Sequence, residues 1–151
     1  MSYSELLQIY FGRSMALQWY WTVYIIVIGG ALGFSTFRQR PEPVTVVLIT
    51  ILYACFAYKN LGAIEVTLME RQAILSAIRD YPLTAANERE IKRLRDVLEP
   101  ILPLAEPSGV RSFHLACDLL TIAALWAKEW RRRKYAELSA VSAATSVSTS
   151  T

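Results

Sequence analysis

Cysteine is scarce in this 151-residue chain, with Cys55 and Cys117 too few and too scattered for a disulfide framework. Histidine is scarcer still. His114 stands alone, so no set of metal ligands with the usual spacing can be read from the sequence. Neither cysteine has a neighbouring base, which leaves both as apolar filler instead of nucleophiles. Charge is thin as well, at 19% of residues, and two long stretches carry none at all. Between residues 59 and 111, eight basic residues meet eight acidic ones, which excludes the one-sided basic footprint of a nucleic-acid binder. Gly29, Gly30 and Gly33 make no phosphate loop, because no strand precedes them and no lysine follows. No catalytic constellation and no cofactor are expected. The sequence reads as a non-enzyme.

Apolar residues are abundant instead. They make up 54% of the chain, above the roughly 45–50% of soluble proteins. Residues 14–37 contain no charge and as a helix would measure about 36 Å, enough to cross a hydrocarbon core of about 30 Å. Trp19, Tyr20, Trp21 and Tyr24 crowd its first half, and Phe34 and Phe37 close it, as interfacial aromatic belts do. A cleaved signal peptide would be shorter and end in small residues, whereas this run ends in Arg38-Gln39-Arg40-Pro41. A second run begins at Pro43, where a helix start needs no amide donor, and reaches residue 64 with Lys59 snorkelling. The short link at residues 38–42 makes the two runs a tight antiparallel hairpin. A third run, about 112–130, carries His114 and Asp118. Asp118 alone costs about 2.5–3.5 kcal/mol on insertion scales, roughly what the run's aliphatic residues return. Trp126 and Trp130 beside Lys128, Arg131, Arg132, Arg133 and Lys134 form a membrane-interface pattern that favours insertion.

The expected architecture is therefore an all-α integral membrane bundle. It has an N-terminal transmembrane hairpin, an extramembrane helical region at 65–107 and a third transmembrane helix, all in one domain, 1–138. With three spans, Arg38 and Arg40 share a side with Lys128, Arg131, Arg132, Arg133 and Lys134. That bias puts the hairpin turn and the C-terminus in the cytoplasm, and suits the plasma (inner) membrane. The alternative is a two-span hairpin followed by a cytosolic helical domain.

Leu61, Ile64, Leu68, Leu75 and Ile78 alternate at three and four, with Arg71 in the polar seam position, so the second helix should continue to about Asp80. Tyr81-Pro82 stops it. Thr84 or Asn87 would cap the next helix, whose face is Ile91, Leu94, Leu98 and Ile101. Pro100, Pro103 and Pro107 end that helix, and Ser108-Gly109 turn into the last one. The two seams are expected to pack together as a helical hairpin, the alternative being a helix from another subunit. Residues 139–151, all Ser, Thr, Ala and Val, read as a disordered tail.

Two features bear on function. Gly29 and Gly33 form a G-x-x-x-G pair that would let a helix backbone approach, within the chain by preference and in a dimer otherwise. Arg111, His114, Asp118 and Thr121 recur at three and four, so they line one stripe of the last helix. An ionisable group inside a span must face protein or water. The stripe is thus either a structural His114–Asp118 pair, the favoured reading, or a proton or ion pathway. The expected role is a scaffold or interaction subunit whose partners are the lipid bilayer and a homo-oligomer or membrane partner protein. The alternative is an oligomeric pore or proton/ion-translocating component.

Overall fold

The computed structural model describes residues 2–38, 40–84, 88–98, 102 and 107–148, the side chains of 107 and 143–148 excepted. Four helices account for most of them: α1 (Tyr3–Phe37), α2 (Pro43–Arg79), α3 (Glu88–Leu98) and α4 (Pro107–Ser148). No strand occurs among the described residues. Three of the helices, α1, α2 and α4, are long and apolar enough to cross a membrane.

The helix ends follow local chemistry. Ser2 and Glu5 form a capping box: Ser2 Oγ accepts the Glu5 amide at 3.2 Å, and Glu5 Oε2 accepts the Ser2 amide at 2.7 Å. This starts α1 at Tyr3, eleven residues before the charge-free run. Pro43 opens α2, and Arg38 Nη2 bonds both the backbone carbonyl and the carboxylate of Glu42 at 3.2 Å, which ties the turn together. Pro107 opens α4 in the same way, so Ser108 and Gly109 are already helical and make no turn. α4 then runs on to Ser148, through much of the stretch expected to be a disordered tail. That stretch contains no helix breaker, so the preceding helix propagates into it, with the Ser139 hydroxyl satisfied by the Tyr135 carbonyl at 2.9 Å. Asn87, Pro100, Ile101, Pro103 and residues 149–151 lie outside the described residues.

The chain falls into two compact units, Met1–Val23 with Asn60–Phe113, and Tyr24–Lys59 with His114–Thr151. The first unit is built around an apolar core. Tyr3, Leu6 and Tyr10 of α1, Leu75 and Ile78 of α2, Ile91 of α3 and Leu102 bury together. The α2 and α3 seams do meet. The first turns of α1, which the sequence left unassigned, supply the third wall. Arg71, the polar member of the α2 seam, donates to Tyr10 Oη at 2.7 Å and lies over the same ring, 4.9 Å from its centroid. Leu94 departs from the expected α3 face and is 37% exposed. Its place is taken by Arg95, whose Nη2 donates to the carbonyls of Ile78 and Tyr81 at 3.1 and 3.0 Å. Those carbonyls lie where Pro82 stops the α2 ladder, so they need an outside donor.

The second unit buries more polar side chains. Its buried positions include Ser35, His114, Thr121 and Glu129 alongside Tyr24, Val46, Tyr53, Ala57 and Leu125. Its outward positions are large and aliphatic: Ile25 and Ile26 are each 65% exposed, and Leu119 and Leu120 are 69% and 70%.

Candidate functional site

Asp118 is the centre of the second unit's polar interior. It sits on α4 one turn after His114, and its carboxyl collects donors from three helices. Tyr24 of α1 donates to Oδ1 at 2.8 Å and Tyr53 of α2 donates to the same oxygen at 2.7 Å. His114 Nδ1 lies 2.9 Å from Oδ2, a hydrogen-bond distance at which the ring nitrogen donates to an ionised Asp118. The imidazole is fully buried and stacks on the Tyr24 ring, with centroids 4.1 Å apart and planes 31° off parallel. Tyr24 Oη also approaches the His114 carbonyl at 3.3 Å. Thr121 closes the stripe by donating to the Cys117 carbonyl at 2.8 Å.

The expected stripe is thus only partly one site. His114, Asp118 and Thr121 come together, but Arg111 belongs to the other unit, where its Nε lies 3.7 Å from Glu65 Oε1. Tyr24 and Tyr53 were missed. Tyr24 passed for an interfacial aromatic because it follows Trp19, Tyr20 and Trp21, yet it is buried whereas Trp19 is exposed. The signal available was periodicity: Tyr24 and Ser35 fall on one face of α1, and Val46, Tyr53 and Ala57 on one face of α2.

A second polar cluster lies further along the same α4 stripe. Glu129 is 1% exposed, with Arg132 Nη1 and Arg133 Nε each 3.6 Å from its carboxylate oxygens. Arg132 Nη2 donates to the Ser35 carbonyl, and Lys128 Nζ donates to Thr36 Oγ1. Both basic side chains therefore serve the last turn of α1, where carbonyls lack intrahelical partners and the helix dipole favours positive charge. The basic cluster divides accordingly. Lys128 and Arg132 turn towards α1, whereas Arg131 is exposed and Lys134 extends over the Trp130 ring at 5.7 Å. Gly29 and Gly33 do not meet the in-chain packing expected of them, since a Cβ built at either would reach nothing within 4 Å. The α1 face they occupy is open because the inward stripe of that helix runs through Tyr24 and Ser35 instead.

Among the described residues no three His, Cys, Asp or Glu side chains gather as a metal site requires. No protein-family model, curated protein or solved structure matches the chain. A carboxyl held by two phenols and an imidazole can lock three helices in register. The same donors, arranged in series, are the parts of a proton relay.

Proposed function

We propose that the chain is a three-span, multi-pass membrane protein of non-catalytic type, acting as a scaffold or interaction subunit in the plasma (inner) membrane. Its spans are about 14–37, 43–64 and 112–130. Residues 65–107 lie outside, while the hairpin turn and the Lys128–Lys134 cluster lie in the cytoplasm. The polarity of the second unit supports insertion: Tyr24, Tyr53, His114 and Asp118 bond one another inside, and aliphatic residues such as Ile25, Ile26, Leu119 and Leu120 face outward, where lipid would be. The bilayer is the first partner, and a second copy or a membrane protein is the next.

The observation that carries the scaffold reading is the convergence of Tyr24, Tyr53 and His114 on Asp118. Each donor comes from a packed helix and all end on one carboxyl, which suits a fixed joint better than a path with an entrance and an exit. The relay reading draws on the same buried His114–Asp118 pair. Proton flux in liposomes carrying a pH-sensitive dye separates the two. The scaffold reading expects flux no higher than that of protein-free vesicles. Robust wild-type flux that disappears in a correctly assembled Asp118→Asn protein would overturn it.

A further inference from the structure

The first unit contains a cavity of about 250 Å³ whose walls combine Ile78, Leu98 and Leu102 with Tyr3, Arg79 and Arg95. Its floor is part of the apolar core, but two of its polar groups are left over. Tyr3 Oη and Arg95 Nε are buried and meet no hydrogen-bond partner among the described residues. Leaving such groups unpaired is costly in a folded protein, and each asks for an explanation. Neither is free to turn away. The Tyr3 ring packs edge-on against Tyr81 with centroids 5.4 Å apart, and the far end of the Arg95 guanidinium is fixed by the Ile78 and Tyr81 carbonyls.

The chemistry of these leftovers is one-sided. Arg95 Nε can only donate, the Tyr3 hydroxyl can donate, and Arg79 adds a second positive charge to the wall. A ligand that satisfies them brings oxygen acceptors and negative charge. A ligand that fills the rest brings aliphatic carbon. The geometry points to a binding site for a medium-chain carboxylate, its head on Arg79, Arg95 and Tyr3 and its tail against Ile78, Leu98 and Leu102. The cavity falls short of the roughly 300–1,000 Å³ of drug-sized sites, which favours one short chain over a two-chain phospholipid. The site lies wholly within the first unit and does not depend on the Asp118 network.

The test uses the full chain in nanodiscs of zwitterionic lipid and a photoreactive diazirine analogue of octanoate, with the labelled peptides mapped. Label should concentrate on peptides carrying Leu98, Leu102 and Ile78. Free octanoate should compete for it, and octanol and inorganic phosphate should not. Tyr3→Phe removes the unpaired hydroxyl and keeps the ring, and Arg79→Gln removes an exposed charge. Each should weaken competition by octanoate about tenfold while the melting temperature stays near wild type. Two variants guard against a folding defect in one. Equal competition by octanol would reduce the cavity to a nonspecific apolar cleft and overturn the proposal. Competition by phosphate alone, or by anionic phospholipid but not octanoate, would overturn it in favour of a free anion or a lipid headgroup. Label spread along the outward faces of the second unit, or unchanged competition in both variants, would also defeat it.

Discussion

At the scale of single residues, Asp118 shows how one acid can be tolerated among aliphatic side chains. Insertion scales charge the bare aspartate about 2.5–3.5 kcal/mol, which made the third run look marginal from sequence. The structure supplies what those scales omit, namely two phenol donors and an imidazole within 2.9 Å. Half of this was legible: the four-residue spacing put His114 beside Asp118, but nothing local in the sequence pairs Asp118 with Tyr24 or Tyr53, which lie on other helices. The joint has a specific energetic signature. Asp118→Ala strands three buried donors at once and should cost roughly 3–5 kcal/mol. Asp118→Asn keeps an oxygen for the tyrosines, and the neutral imidazole can accept from its amide in the other tautomer, so about 1 kcal/mol is expected. Tyr53→Phe removes one bond and should cost about 0.6–1.7 kcal/mol. Thermal melting in a mild detergent ranks the three. If Ala and Asn are equally damaging, the negative charge itself is what matters, and the idea of a donor-satisfying joint fails.

At the scale of elements, the boundaries were set by signals of two kinds, and only one kind is strong in sequence. Pro43, the Tyr81-Pro82 stop and the long α2 seam are covalent and periodic facts, and α2 runs from Pro43 to Arg79 accordingly. The α1 start at Tyr3 and the α4 run to Ser148 depend on subtler features: a Ser2–Glu5 capping box, and the absence of any breaker after Tyr135. The face of α3 was misread for a different reason. Leucine at position 94 fits the apolar period, but the α2 end has carbonyls that need donors, and Arg95 at the neighbouring position meets that need. The balance between the two positions can be measured. Ile91→Ala truncates a residue that is 4% exposed in the three-element core and should destabilise the first unit by about 2–4 kcal/mol. Leu94→Ala should cost less, about 1 kcal/mol, because that residue is 37% exposed. Hydrogen exchange of the α3 amides reads both: faster exchange in Ile91→Ala with near wild-type protection in Leu94→Ala is expected. Equal loss of protection would return Leu94 to the buried face.

At the scale of the whole molecule, average composition conceals two differently built units. A mean hydropathy of +0.29 describes neither unit. The first unit buries Tyr3, Leu6, Tyr10, Leu75, Ile78 and Ile91 and keeps Glu88, Lys92 and Arg93 outside, while also exposing Met15, Trp19 and Phe113; the second buries Ser35, His114, Thr121 and Glu129 beside Tyr24, Tyr53 and Leu125 and exposes isoleucines and leucines. The charged outer face of α3 suits water and the aliphatic outer faces of the second unit suit lipid, which is the physical basis of the proposed topology. Orientation then rests on the basic residues. Arg38, Arg40 and the Lys128–Lys134 cluster outnumber the basic residues near the opposite ends of the proposed spans, and that bias is what assigns them to the cytoplasm in the proposed topology. The two-span alternative reverses the position of α3, because everything after Lys59 would then be cytosolic. A protein with Cys55 and Cys117 replaced by alanine, carrying either Glu90→Cys on α3 or Tyr135→Cys on α4, distinguishes the two. Both positions are exposed, so local burial does not mask the reagent. On intact cells a membrane-impermeant thiol reagent should label position 90 and leave position 135 untouched until lysis. The controls are full labelling of both after lysis and unchanged melting of each variant. Protection of position 90 in intact cells, with normal labelling after lysis, would place α3 in the cytoplasm and remove the third span from the proposal.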